Sequence, residues 1–208
     1  MQIFDPNNTF FRWVAWVTDV LGLSLLWAFA SLPIITAGAA TTALYDSVLH
    51  CVKPREAGAF RRFFETFRAS FKTTALSSLC WGLLWAGLLL GARVLVLMAL
   101  AGYRAALLQL VVFCVLLVIP AGVVCWQFPL WARRPMGFAQ LNLSAARLTL
   151  ARLPATLLTV AATLGGLWLC WRYWLPIFFM PVLWAFLCSI WMEPIFDKDG
   201  FLPLEEDC

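Results

Sequence analysis

Three ionisable residues lie within or beside long apolar runs, where a charged side chain is costly and therefore suggests a function. They are Asp19, Asp46 and Arg93. We expect Asp19 and Arg93 near the outer ends of two membrane-spanning helices, where they could form an ion pair between the helices. The simpler interpretation is that each side chain extends to the membrane surface by itself.

The sequence contains none of the motifs sought for enzymatic chemistry. The H-E-x-x-H pattern of metalloproteases, the phosphate-binding P-loop and the G-x-S-x-G nucleophile motif are all absent. The chain has seven cysteines without a C-x-x-C pair and one histidine, His50, whereas a zinc site needs about four ligands brought together. We therefore expect no catalytic residues, no metal and no cofactor, and we predict that the protein is not an enzyme.

The composition indicates that lipid surrounds most of the chain. Of the 208 residues, 63% are apolar and only 12% are charged, against roughly 45–50% and about 25% in a soluble domain. The apolar runs are unbroken rather than alternating, which favours helices over barrel strands. The sequence thus predicts an all-α fold, a polytopic transmembrane helical bundle that forms one integral-membrane domain over residues 1–208.

Apolar runs of about 20 residues are long enough to cross the hydrocarbon layer of a membrane. Five runs are predicted to do so, at residues 14–35, 75–100, 105–130, 154–171 and 173–192. Almost no linker separates the last two, so we expect them to form a tight helical hairpin. We interpret the first run as a retained span rather than a signal peptide, because Asp19 interrupts it and apolar character continues beyond the A-x-A pattern.

The segment 36–52 leaves the number of spans open. It is rich in Ala, Thr and Gly and contains Tyr45, Asp46 and His50. At about 16 residues it is marginal for crossing the membrane. It could be a sixth, short span, or a helix that runs along or dips into the cytoplasmic face. Five spans place the N-terminus outside and six place it inside, with no change to the segments that follow.

The basic residues predict the orientation of the chain. The loop 52–74 carries six Lys or Arg residues and the loop 131–153 carries four. Because basic loops are retained in the cytoplasm, we expect both loops and the C-terminus to lie there, in a multi-pass protein of the plasma membrane. Acidic residues contribute little to orientation, so the acidic segment 193–208 is expected to be a short solvated tail.

Five phenylalanines of the first basic loop recur at helical spacing. They are Phe60, Phe63, Phe64, Phe67 and Phe71. Such a basic amphipathic helix could lie in the plane of an anionic lipid leaflet, or its phenylalanines could pack on the cytoplasmic ends of the spans. The loop 131–153 repeats this pattern more weakly. Binding to nucleic acid is disfavoured, because the basic residues are divided between short loops without a recognised reading motif.

A parallel internal repeat is a further hypothesis. Each basic segment leads into two spans that end in a W-x-x-P sequence, at Trp126–Pro129 and at Trp191–Pro194. We therefore expect the segment Phe60–Pro129 to superpose on Phe138–Pro194.

One stretch of the chain is similar to a known family. Trp27–Tyr45 follows the pattern W-x-x-x-S-L-P-I-x-T-x-G-x-x-x-x-A-L-Y, and the aromatic and basic segment Phe63–Lys72 comes after it. Both resemble the YesL-like family of bacterial membrane proteins, a family of unknown function. The later segments Gln127–Arg133 and Glu193–Phe196 also resemble it. The resemblance implies a protein of the bacterial plasma membrane with no established enzymatic activity, and a link to carbohydrate uptake systems.

The shared stretch also has direct physical content. Pro33 lacks an N–H group and is expected to kink or end the first helix, and Gly38 permits a close approach of another segment. The small residues 39–43 would let a further helix pack tightly. The residues that we select as structural or interaction candidates are Asp19, Pro33, Thr36, Gly38, Tyr45, Phe64, Phe67, Arg68 and Arg93.

Two functions follow from these observations. The first is an accessory or regulatory membrane protein of a carbohydrate uptake system that contacts a transporter or sensor protein in the bilayer. The alternative is a transporter or channel subunit for a small solute, which would act as a homo-oligomer because five spans make a thin bundle.

Overall fold

The structure is a computed structural model that describes residues 9–54, 56, 58–173 and 175–200. Within these residues the fold is entirely helical and contains no strand. The α-helices are α1 (Thr9–Ala30), α2 (Ala37–Ser47), α3 (Ala59–Leu100), α4 (Arg104–Leu116), α5 (Val118–Arg133), α6 (Phe138–Ala151), α7 (Leu153–Tyr173) and α8 (Met180–Lys198). Shorter 3-10 helices cover Ile34–Thr36 and Leu175–Phe178, and a π-helix covers Val48–Val52.

The prediction of an all-α bundle with membrane-spanning helices is confirmed. Four helices of the described chain are long and apolar enough to cross a membrane: α3, α4 together with α5, α7 and α8. They correspond to the last four predicted spans. The first predicted span, 14–35, corresponds to α1, whose apolar part Trp16–Ala30 is shorter.

The segment 36–52 is helical and returns alongside α1. Trp27 near the end of α1 donates a 3.2 Å hydrogen bond to Thr41, and Trp16 near its start donates a 3.2 Å bond to the carbonyl of Val52. The two helices are therefore antiparallel. α1 ends at Ala30, as expected from Pro33 three residues later.

This hairpin contradicts the predicted ion pair between Asp19 and Arg93. Asp19 lies between Trp16, which contacts Val52, and Gly22, whose Cα faces the ring of Phe60. Arg93 lies 33 residues beyond Phe60 in the continuous helix α3, which is a rise of about 50 Å. The prediction was wrong because it placed the start of α1 at the outer end of the bundle, away from the start of α3.

The five phenylalanines of the first basic loop and the second predicted span are parts of one helix. α3 has 42 residues, a length of about 63 Å. All of its buried residues lie between Ala59 and Ser78, and none lies from Leu79 to Leu100. Phe63 is buried and Phe67 packs against the core, whereas the other three phenylalanines of the stripe are exposed. Packing on the bundle thus accounts for two of the five.

The predicted parallel repeat is not found. The first basic segment and its span form the single helix α3, whereas the second is interrupted at Arg152, where the backbone leaves the helical conformation (φ −123°, ψ 48°). The basic segment of α3 packs on α2, while α6 packs on α5. A different interruption separates α4 from α5 at Leu117, because Pro120 has no N–H group for the carbonyl of Leu116.

Hydrogen bonds from tryptophan to threonine join α7 to the helices beside it. Each bond pairs an indole N–H with a threonine hydroxyl oxygen, and the distances are 2.9 to 3.0 Å: Trp126–Thr156, Trp191–Thr159 and Trp184–Thr163. The three threonines also donate to carbonyls of the preceding turn, so each hydroxyl group both donates and accepts a hydrogen bond. The last two bonds hold α7 and α8 together as the expected hairpin.

The small residues of α2 pack against other helices of the same chain. Ala39, Ala40, Thr42 and Ala43 are completely buried, and α2 has its most extensive contacts with α3 and α5. Gly38 permits the close approach: its N–H donates a 3.0 Å hydrogen bond to the hydroxyl of Ser78. A Cβ atom at this position would come within 2.5 Å of a ring carbon of Phe128.

Gly38→Ala is therefore expected to lower the free energy of unfolding by about 1–3 kcal/mol, because the added methyl group must displace Phe128 and Ser78. The measurement is thermal unfolding in detergent micelles. Gly87→Ala is the matched control, since nothing lies within 4 Å of a Cβ atom there. Equal melting temperatures for the two variants would contradict the tight contact.

Candidate functional site

A polar cavity of about 690 Å³ lies at one end of the bundle. Its walls come from α2 and the π-helix, from the first turns of α3, from the end of α5 and the following Pro135, and from α8. We call this end the basic end, because Arg62 and Arg133 both line the cavity there. The two basic segments predicted to share a side of the membrane are thus brought together.

Asp46 forms the first ion cluster of the cavity. Its side chain is 4% exposed, so it needs partners to remain charged. Arg62 donates to it through Nε at 2.9 Å, Thr66 donates its hydroxyl proton at 2.6 Å, and Nδ1 of His50 lies 3.0 Å from a carboxylate oxygen. This cluster fastens α2 and the π-helix to α3.

Glu193 forms the second ion cluster. One of its carboxylate oxygens accepts a 3.0 Å hydrogen bond from the hydroxyl of Tyr45, and the other pairs with Arg133. Arg133 also pairs with Asp197. Because Tyr45 and Asp46 are neighbours in sequence, the two clusters meet at α2 and connect it with α3, α5 and α8.

The second cluster corrects the expectation that residues 193–208 form a solvated tail. α8 continues to Lys198, and the side chain of Glu193 is mostly buried. Asp199 pairs with Arg152 at 2.8 Å. Residues 201–208 lie outside the described residues.

The contacts of the first cluster change two pKa values in opposite directions. Burial by itself raises the pKa of Asp46, but the hydrogen bonds from His50, Arg62 and Thr66 outweigh it and lower the pKa below its usual value. The hydrogen bond to Asp46 raises the pKa of His50. At neutral pH this cluster therefore contains a charged carboxylate and a histidine that takes up a proton more readily than usual.

A second cavity, of about 330 Å³, lies between α1, α2, α5, α7 and α8. Its lining is almost entirely apolar and includes Leu44 and Thr41 of α2. Tyr45 and Asp46, which follow Leu44 directly in α2, line the polar cavity instead, so α2 lies between the two cavities.

Of the candidates selected from the sequence, Tyr45 alone lines the polar cavity. Thr36 stabilises the turn before α2, where its hydroxyl contacts the carbonyls of Ala30 and Pro33 at 2.6 and 2.8 Å. Gly38 packs at the start of α2. The other candidates lie elsewhere on α1 and α3: Asp19, Phe64, Phe67, Arg68 and Arg93.

Sequence reasoning missed most of the charged residues that build the cavity. Asp46 and His50 are four residues apart in a segment with no other charge, which is a signal for one shared helix face. Arg133 and Glu193 lie in two of the segments that resemble the YesL-like family. No sequence pattern, however, indicates that these two side chains meet.

The paired charges limit the chemistry that the cavity can perform. Asp46 and Glu193 both have their oxygens engaged by hydrogen bonds. Within the described residues, no three His, Cys, Asp or Glu side chains lie close enough together to hold a metal ion. A cavity of this size, whose lining combines apolar surface with a few polar and charged side chains, is suited to binding a small molecule.

Residues 20–92 match the family model for a protein of unknown function, DUF624. The match covers the second half of α1, all of α2 and the larger part of α3, and it is consistent with the resemblance found from the sequence. It includes the Asp46 cluster but neither Arg133 nor Glu193. No curated protein and no solved structure matches the chain.

Asp46→Asn is expected to lower the free energy of unfolding by about 2–4 kcal/mol, because it removes the buried carboxylate that joins Arg62, Thr66 and His50. Unfolding in detergent micelles measures the effect. The control is Glu65→Gln, which breaks an exposed pair with Arg61 and should change stability by less than about 0.5 kcal/mol. Equal losses for the two variants would contradict a structural role for the cluster.

The raised pKa of His50 predicts a pH-dependent contribution to stability. This contribution is full below about pH 6.5 and is lost as the pH rises through the raised pKa. The melting temperature of the wild type should therefore fall relative to that of His50→Gln between about pH 6 and about pH 9. Parallel curves for the two proteins would show that the charge on His50 does not act on Asp46.

Proposed function

We propose that the protein is a non-catalytic accessory or regulatory component of a carbohydrate uptake system in the bacterial plasma membrane. The observation that carries this proposal is the polar cavity of about 690 Å³ at the basic end of the bundle. The protein would bind a small polar solute there, and binding would change its contact with a partner protein in the membrane. The resemblance to the YesL-like family supports the choice of a carbohydrate uptake system.

The way the cavity is built supports a binding role. Its walls belong to four separate parts of the chain, held together by side-chain contacts of Asp46 and Glu193. A ligand that changes these contacts would shift α2, α3, α5 and α8 relative to one another. Ligand binding would thus move helices that also face the membrane.

The exposed arm formed by the second half of α3 and by α4 supports contact with a partner. No residue from Leu79 to Leu100 is buried, and in α4 only Ala106 is. The arm therefore presents an apolar surface along its whole length, which lipid or a membrane partner must cover. The small residues of α2, in contrast, are already buried within the chain.

The basic residues support a cytoplasmic position for the cavity. Arg62 and Arg133, from the two basic segments, both line it, and basic loops are retained on the cytoplasmic side. The solute would then be sensed after it has entered the cell.

The alternative is a transporter or channel subunit that acts as an oligomer. The specific observation in its favour is that α2 separates two cavities, one polar and one apolar. The apolar cavity offers few groups that could replace water around a polar solute, so we rank this function second.

Deletion of the gene in the native host is expected to slow growth on one or a few carbohydrates and to leave growth on a carbon source that is not a carbohydrate unchanged. Plasmid-borne wild type should restore growth, and it should co-purify with proteins of the affected uptake system. Unchanged growth on every carbohydrate would contradict the accessory role. Uptake of the sugar by the purified protein alone in vesicles would establish the alternative.

A further inference from the structure

We infer that the apolar cavity of about 330 Å³ binds one acyl chain of a membrane phospholipid, which enters the bundle beside α7 and reaches α2. This inference goes beyond the proposed function and does not rest on it, because it concerns a different cavity and a different class of ligand. The lipid tail would fill the space between α1, α2, α5, α7 and α8.

The lining of the apolar cavity has no free group for a polar ligand. None of the described residues that line it is charged. Of its two threonines, Thr41 accepts a hydrogen bond from the indole of Trp27 at 3.2 Å. Thr163 accepts one from the indole of Trp184 at 2.9 Å. Both hydroxyl groups also donate to the carbonyl four residues earlier in the chain. A polar ligand would lose its hydrogen bonds to water without replacement, so the ligand must be apolar.

The cavity opens on a surface of the bundle that faces lipid. Two of the helices that enclose it, α7 and α8, are apolar enough to cross a membrane. Leu167 of α7 lines the cavity and is also exposed, so the cavity reaches the surface at this residue. Leu164 and Trp168, beside it on α7, are exposed as well. Acyl chains cover such a surface in a bilayer, and they are therefore the apolar molecules that can enter the cavity.

The volume of the cavity suits a lipid tail. An apolar cavity of about 150 Å³ holds benzene, a molecule of six carbon atoms. By this measure the volume of about 330 Å³ holds about 12 carbon atoms, which is the greater part of a phospholipid tail. Water is not a competing occupant, because a buried water molecule needs at least two polar partners and the threonine hydroxyls are already engaged.

The free energy of binding comes from filling the cavity. A tail that moves from the bilayer into the cavity leaves one apolar medium for another, so it gains contacts with the lining rather than removal from water. An empty cavity would forfeit these contacts. Because the described lining carries no charge, the headgroup stays outside the cavity, and we expect the site to recognise the tail alone.

The helix α2 is the most specific reporter of a tail in this cavity. Along Gly38–Ser47, Thr41 is the one residue that is not buried, and it lines the apolar cavity. Leu44 lines the same cavity one turn later. A lipid tail that touches both residues has therefore entered the cavity. Since Tyr45 and Asp46 of the same helix line the polar cavity, the tail would support the helix that carries them.

The test uses the full-length protein in phosphatidylcholine nanodiscs in which a small fraction of the lipid carries a diazirine near the methyl end of one acyl chain. Irradiation joins the chain covalently to side chains that it touches, and mass spectrometry of peptides locates the products. We expect labelling of Thr41 or Leu44 of α2, in addition to labelling of the exposed surface of α7. Labelling of α7 without any labelling of α2 would overturn the inference.

Val124→Phe should reduce the labelling of α2 by about tenfold relative to that of α7, because the larger side chain occupies space that the tail needs. Val124→Ala is the matched control: it enlarges the cavity at the same position and should leave the labelling of α2 in place. Cys170→Phe narrows the cavity from α7 and should act as Val124→Phe does. Thermal unfolding in the same nanodiscs identifies which variants are folded. Undiminished labelling of α2 in a folded Phe variant would contradict binding inside the cavity.

A second probe separates recognition of the tail from recognition of the headgroup. It carries the same diazirine chain on phosphatidylglycerol, whose headgroup is an anion. The two lipids should label α2 to the same extent, because no charged residue of the described lining can select a headgroup. Labelling of α2 by only one of the two lipids would overturn the inference in favour of a headgroup site.

Discussion

The pairing of buried charges at the basic end is the interaction on which the rest of the structure depends. A charged group in an apolar environment is tolerated only with a partner and with hydrogen bonds to its remaining atoms. Asp46 is nearly completely buried and meets both conditions through Arg62, Thr66 and His50. Its position requires the first turns of α3 to lie against α2, and this contact sets one wall of the polar cavity.

The second cluster extends the same constraint to the other walls. The hydroxyl of Tyr45 in α2 donates a hydrogen bond to Glu193 of α8, and Glu193 pairs with Arg133 of α5. Two neighbouring residues of α2 therefore position three other helices. The cavity exists because these helices meet through long side chains that keep their backbones apart. At Gly38, in contrast, the backbone N–H of α2 comes close enough to α3 to bond the short side chain of Ser78 directly.

Inside the bundle, neutral hydrogen bonds meet the same requirement. Indole N–H groups donate hydrogen bonds to threonine hydroxyls along α7, and each hydroxyl donates a hydrogen bond to a carbonyl four residues earlier in the chain. Such pairs let a chain that is 63% apolar hold its helices in a defined arrangement, because packing of apolar side chains against apolar lipid tails gives little preference for one neighbour over another.

The sequence was sufficient to predict features that follow from composition and local spacing. The helical fold and the last four spans depend on the length and hydrophobicity of each segment, and the end of α1 depends on Pro33. The course of the chain around 36–52 could not be predicted in this way, because its length is marginal for a span. The wrong prediction of an ion pair between Asp19 and Arg93 followed directly. The end of the bundle at which α1 begins depends on whether the segment 36–52 returns alongside α1.

What the sequence determined by itself, then, is that this chain forms membrane helices, and where most of them begin and end, because hydrophobicity and proline are properties of a segment alone. Only the tertiary structure decided that Arg62 meets Asp46, that Arg133 meets Glu193, and that the two pairs enclose one cavity. Each of these contacts joins residues from helices whose crossing and direction are set by packing, and no spacing along the chain encodes them.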